Sequence, residues 1–94
     1  MPPMSETALP DLVLYGRPDC HLCHGTRETI GLLFEERTDL GLPVPRLVER
    51  DISTDPALAA ELGDRIPVVE LGGRRLELVT SAGRLRRLLT DVLG

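Results

Sequence analysis

Leu12-Val13-Leu14-Tyr15-Gly16-Arg17-Pro18-Asp19-Cys20-His21-Leu22-Cys23 is the stretch on which the reading of this chain turns. Leu12 to Tyr15 form a short apolar run, bounded by Asp11 on one side and by Gly16-Arg17-Pro18 on the other, which predicts a buried strand. From Cys20 the period changes. Ile30, Leu33, Phe34 and Leu40 fall on or near one face of a helix spanning Cys20 to Leu40, and Gly41 with Pro43 supplies its stop signal. Gly31 weakens this helix without vetoing it. A buried strand thus hands over to a helix, and both cysteines of the chain stand at the junction.

That placement carries chemistry. At a helix N-terminus the backbone N–H groups lack partners and the helix dipole favours negative charge. Thiolate, not thiol, is the nucleophile, and such a site favours the thiolate of Cys20. Arg17, three residues earlier, adds positive potential. Cys23 lies one helical turn on, where its sulfur can face that of Cys20. The pair can then close a disulfide and release a bound partner, with Cys20 attacking and Cys23 resolving.

Outward from this core, Arg46 to Ile52 predicts a second strand, whose Glu49, Arg50 and Asp51 suit an edge position. Ser53-Thr54-Asp55-Pro56 opens a short helix with a capping side chain followed by Pro at the first helical position, and Gly63 ends it after Leu62. Pro67-Val68-Val69-Glu70-Leu71 and Arg74-Arg75-Leu76-Glu77-Leu78 flank Gly72-Gly73, a β-hairpin signal because tight two-residue turns need positive φ. Thr80 or Ser81 caps a last helix with Leu85, Leu88, Leu89, Val92 and Leu93 on one stripe. The order is β-α-β-α-β-β-α. It predicts an α/β fold, a four-stranded mixed sheet with helices on both faces, its first two strands parallel through a right-handed crossover. Residues 11–94 are expected to form a single domain, and 1–10 a flexible Pro-containing lead-in.

In Leu14 to Cys23, in Asp51-Ile52 at the end of the second strand, in Arg65-Ile66-Pro67-Val68-Val69 and in the Gly72-Gly73 hairpin, the chain resembles glutaredoxin-like members of the thioredoxin superfamily. The likeness runs through most of the chain from Leu12 onward, and is closest to small bacterial proteins carrying C-H-L-C. It implies a thioredoxin-like fold, a nucleophilic Cys20, a resolving Cys23, and a cis-Pro67 packed beside them. It also implies that the Ile66 backbone pairs with an extended substrate. Glutathione is the co-substrate the resemblance suggests: Arg17 and Arg65 would meet one carboxylate, and the N–H groups of Thr80 and Ser81 the other. One departure bears on this. Where such proteins carry Gly-Gly and an acidic residue before the last helix, this chain has Leu78-Val79-Thr80-Ser81-Ala82, with no acid for the ammonium group of glutathione.

Composition narrows the alternatives. The chain has 94 residues and a net charge of −4, and only Tyr15 and Phe34 are aromatic, so the core must be aliphatic. All eleven basic residues are Arg, and neither clustered Lys nor paired aromatics point to nucleic acid. Arg84, Arg86 and Arg87 read as the solvated face of the last helix. No apolar stretch approaches the ~18 residues of a membrane span, and Met1 to Pro10 lacks the basic start and apolar run of a signal peptide. A cytoplasmic, reducing compartment is therefore expected, where paired cysteines are more often catalytic or metal-binding than structural. Cys20-His21-Leu22-Cys23-His24 also fits the C-x-x-C-H haem-attachment pattern, which would require export. A metal or iron–sulfur site would need ligands from a second chain, since there is no further cysteine pair to complete it. A non-enzymatic adaptor on a redox fold is the remaining alternative. The expectation is a monomer without resident cofactor or metal. It exchanges with protein or small-molecule disulfides and is restored by a thiol reductant, glutathione or thioredoxin reductase.

Overall fold

A computed structural model of the chain describes residues 9–94. Most of the expected lead-in, residues 1–8, lies outside the described residues. Four strands and three α-helices follow: β1 (Leu12–Gly16), α1 (His21–Asp39), β2 (Leu47–Asp51), a 3-10 turn (Ile52–Thr54), α2 (Pro56–Leu62), β3 (Val68–Leu71), β4 (Arg74–Leu76) and α3 (Ala82–Leu93). The sheet order is β2-β1-β3-β4, with β2 parallel to β1 and the other two pairings antiparallel. This is the mixed sheet expected from the element order, with charged β2 at an edge.

Strand alternation divides the sheet into two apolar faces. Leu12 and Leu14 of β1 and Val69 and Leu71 of β3 point one way, onto Ile30 and Leu33 of α1 and Leu85, Leu88 and Leu89 of α3. Val68 points the other way and joins Ile52, Leu62, Ile66 and Cys23, with Tyr15, Cys20 and Leu58 packed against them. The first cluster holds the fold together. The second holds the cysteine pair.

Local signals account for the ends of the elements. Asp55 caps α2 by accepting the N–H groups of Ala57 and Leu58, and Pro56 takes the first helical position. Ser81, rather than Thr80, caps α3, its Oγ accepting Arg84 N–H at 3.3 Å. Gly72 and Gly73 both have positive φ, 57° and 81°, as a tight two-residue hairpin turn requires. Gly72 is doubly constrained, because a Cβ there would stand 2.7 Å from a methyl of Val92 on α3.

Several expected boundaries shift. The second strand is Leu47–Asp51, not Arg46 to Ile52: the Asp51 carboxylate accepts both the N–H and the hydroxyl of Ser53, and the chain turns into a 3-10 helix at Ile52. These bonds hold the Asp51 carboxyl below the usual carboxylate range. The last strand stops at Leu76, not Leu78. Glu77 and Leu78 leave the hairpin to run beside Arg65 to Pro67, with Leu78 N–H donating to Arg65 O at 2.8 Å and Val79 N–H to Pro67 O at 3.1 Å. Leu78 takes φ 50° to make that turn.

Leu40, placed on the apolar face of the first helix from its spacing, is 66% exposed. It is the C-cap of α1, and the helical register has ended there. The inward stripe of α1 is instead Cys23, Thr26, Ile30, Leu33 and Arg37. Arg37 is buried because its guanidinium has backbone carbonyls to bond: Nε donates to Pro43 O at 2.7 Å.

Candidate active site

The sequence makes the site by placing a cysteine where a helix wants a cap. Cys20 is the N-cap of α1, with extended dihedrals, and its Sγ accepts the backbone N–H of Cys23 at 3.1 Å. That position normally goes to Ser, Thr, Asp or Asn, whose oxygen takes the same bond. Here sulfur takes it, so the helix N–H groups that favour negative charge are directed at the sulfur of Cys20. The first turn of α1 contains no acidic residue to oppose this. Asp19 lies just outside and is largely solvated, its carboxylate 3.8 Å from the Arg17 guanidinium.

The two cysteines are joined as a disulfide, with their Cα atoms 5.2 Å apart. They differ sharply in surroundings. Cys20 is partly exposed, whereas Cys23 is 3% exposed and belongs to the second apolar cluster. Cys20 is therefore the more open of the two to a reaction partner.

Pro67 is buried, and the Ile66–Pro67 peptide bond is cis. Ile66 packs in the same cluster as Cys23. Its N–H donates to Leu62 O at 3.2 Å, while the Pro67 carbonyl accepts Val79 N–H. Of the Ile66 backbone groups expected to meet an extended substrate, the N–H thus already has a partner within the chain.

The remaining expected residues are spread around the pair. Arg17 lines a cleft of about 340 Å³ with Gly16, Cys23, His24 and the end of β2. Thr80 lines a different groove, with His21, Leu22 and Thr26. Arg65 is held in an ion pair with Glu77 at 2.9 Å, so the nearest acid to the segment before α3 already has a cationic partner. Ser81 has its hydroxyl engaged in capping.

Three residues matter here that the sequence reading passed over. Thr26 is 1% exposed, and its hydroxyl donates to Val79 O at 2.7 Å, tying α1 to the segment that flanks Pro67. A polar residue in the inward stripe of α1, three positions after Cys23, was the available signal. Tyr15 packs against the second cluster, and its hydroxyl donates to Glu70 at 2.9 Å. Burial, with the bond to Glu70 added, raises the Tyr15 phenol above its ordinary pKa. Burial works to raise the Glu70 carboxyl as well, but its bonds with Arg75 and Tyr15 outweigh it, and the net direction is down. The third residue is Gly16, at the end of β1, which lies against Cys23.

Replacing Thr26 by Val keeps the shape and removes the hydroxyl, leaving Val79 O buried without that partner. The expected cost is about 1–3 kcal/mol in unfolding free energy, measured by urea denaturation. A loss below ~0.5 kcal/mol would show that the bond does not anchor the segment.

A four-stranded mixed sheet between helices, with a C-x-x-C at the strand-to-helix junction and a cis-proline before the third strand, defines a protein of thioredoxin-like fold. The model of the glutaredoxin-like domain family (DUF836) matches residues 11–90, and the chain belongs to that family. Among solved structures it is similar to the X. campestris protein XcR50, with 33% identity over 85% of this chain and 96% of that one, and a TM-score of 0.69. Protein Ne2328 from Nitrosomonas europaea shares the fold at 22% identity, covering 92% of this chain and 93% of that one, with a TM-score of 0.64. Thioredoxin O2 from Arabidopsis thaliana, in its oxidised state, shares it at 18% identity, covering 95% and 79%, with a TM-score of 0.59. No curated protein matches the chain.

Among the described residues, no group of three or more His, Cys, Asp or Glu is placed to hold a metal ion, and no helix is long and apolar enough to cross a membrane.

Proposed function

We propose that the chain is a thiol–disulfide oxidoreductase working by dithiol exchange, with Cys20 as nucleophile and Cys23 as resolving cysteine. The observation that carries this reading is the asymmetry of the pair: an accessible sulfur at a helix cap and a buried one a single turn behind it.

In the reduced protein the Cys20 thiolate attacks one sulfur of a substrate disulfide. The substrate S–S bond breaks, and the departing thiolate takes a proton from solvent. Cys23 then gives up its proton and attacks the Cys20 sulfur, releasing the second substrate thiol and closing the Cys20–Cys23 bond. Two electrons have passed to the substrate, and an external thiol must return them. Protein or small-molecule disulfides are the substrates. A cytoplasmic thiol reductant, glutathione or thioredoxin reductase, is the electron source on this reading.

Glutathione itself is expected to serve poorly. Arg17 and the N–H groups at Thr80 and Ser81 can receive its carboxylates. Its ammonium group finds no acid in Leu78 to Ala82, and Glu77 is paired with Arg65. One missing charge-assisted hydrogen bond is worth roughly 1.5–3 kcal/mol, or about ten- to a hundredfold in affinity. The test is reduction of hydroxyethyl disulfide, driven by dithiothreitol, by glutathione with its reductase, or by thioredoxin reductase. Turnover with dithiothreitol well above that with glutathione is expected, and Ala82→Asp should raise the glutathione rate. Saturation of the unaltered protein at sub-millimolar glutathione would contradict this account of the segment. No turnover with any reductant would sink the proposed activity.

A further inference from the structure

Gly16 reads in the sequence as part of the turn that ends β1, and its backbone gives no reason for glycine. Among the described residues the glycines with positive φ are Gly41, Gly72, Gly73 and Gly94. Gly16 instead keeps strand pairing, opposite Asp51 on β2. What requires glycine is space. A Cβ at position 16 would stand 3.0 Å from the Cβ of Cys23 and 3.0 Å from its Sγ, where ordinary contacts begin near 3.4 Å.

Resting on the reading of Cys20 and Cys23 as an exchanging pair, we propose that Gly16 is a positioning residue for Cys23, and that its missing side chain biases the pair toward the disulfide.

The crowding cannot be relieved cheaply by moving α1. Thr26, one turn beyond Cys23, is fastened to Val79 O, and Ile30 is buried in the main core. A methyl group on residue 16 must therefore be met largely by Cys23 itself. In the disulfide the Cys23 sulfur is bonded toward Cys20 and has no other rotamer to take. In the dithiol it is free to turn to another staggered position, and the cleft lined by Gly16, Cys23 and His24 leaves open space on that side. Both forms keep the contact with the Cys23 Cβ, which rotation does not move, and only the dithiol can shed the contact with Sγ; a methyl at position 16 thus costs the oxidised form more than the reduced form by that second contact.

The test is equilibration of Gly16→Ala and the unaltered protein with dithiothreitol mixtures of known ratio. In this reaction Cys20 and Cys23 give two electrons and two protons to oxidised dithiothreitol, whose S–S bond opens as theirs closes. The expected result is about a tenfold fall in the oxidation constant, equal to about 30 mV for this two-electron couple. Urea denaturation of each redox form supplies a second readout, with Gly16→Ala losing more stability oxidised than reduced by the same factor. A third is the Gly16→Ala change in a Cys23→Ala background, where with the sulfur gone it should cost less than in the oxidised parent. An oxidation constant unchanged within twofold, or equal losses in both redox forms, overturns the proposal. These measurements need no enzymatic turnover. Failure of the unaltered protein to reduce any substrate would therefore count against the proposed activity alone, whereas an active Gly16→Ala with an unchanged constant would count against this inference alone.

Discussion

Cys20→Ser is expected to bring disulfide reduction down to the uncatalysed background, while Cys23→Ser keeps the first step and loses the second. Serine at position 20 would still cap α1, because its hydroxyl oxygen can accept the N–H now directed at the sulfur, so the fold should survive the change. What is lost is the nucleophile: a hydroxyl is not appreciably ionised near neutral pH and is a far weaker attacking group than a thiolate. In Cys23→Ser the partly exposed Cys20 still attacks, but nothing on the chain resolves the mixed disulfide. That variant should accumulate covalent adducts with substrate proteins, seen as bands that vanish on adding dithiothreitol, whereas Cys20→Ser should accumulate none at comparable levels. Equal trapping by the two variants would remove the ordered roles. In the unaltered reduced protein, timed alkylation should mark Cys20 well before Cys23, which is 3% exposed. Modification of Cys23 first would reverse the assignment.

The largest effect on stability is expected at Ile30. Its side chain is 1% exposed where α1 meets the sheet and α3, among Leu12, Leu14, Val69, Val79 and Leu85. Ile30→Ala removes buried methyl groups and leaves a cavity, at a cost of about 2–5 kcal/mol. For a domain of this size that is a large part of a total of roughly 5–14 kcal/mol. At about 4–8 °C per kcal/mol, the midpoint of thermal unfolding should fall by roughly 8–40 °C. Leu32, two residues along the same helix, is 66% exposed, and Leu32→Ala should stay within about 0.5 kcal/mol. Comparable losses in the two variants would mean that α1 does not present this face to the core.

Elements whose signals are local were legible in the sequence. The strand-to-helix handover at Gly16 to Cys20, the Asp55-Pro56 helix start, the Gly72-Gly73 turn and the Leu85, Leu88, Leu89 stripe each depend on residues within a turn or two, and backbone sterics, capping and apolar period act over that range. The cysteine pair was legible for the same reason: its geometry depends on one turn of one helix. Boundaries were less so. β4 ends at Leu76 because Leu78 and Val79 are drawn to the carbonyls of Arg65 and Pro67, and no neighbour of Leu78 announces that. Leu40 and Arg37 exchanged the places that hydropathy predicts, since the burial of an arginine depends on carbonyls brought to it by the loop after the helix.

The sequence by itself therefore determined the fold class, the order of its elements and the cysteine pair on which the proposed chemistry rests. Tertiary structure alone decided what holds the sheltered sulfur of Cys23 in place. Thr26 bonds Val79 across 53 residues, and Gly16 is small because Cys23 comes to rest against it. Such contacts follow from which faces of distant elements meet, and that depends on how the whole chain buries its apolar surface rather than on any short run of residues.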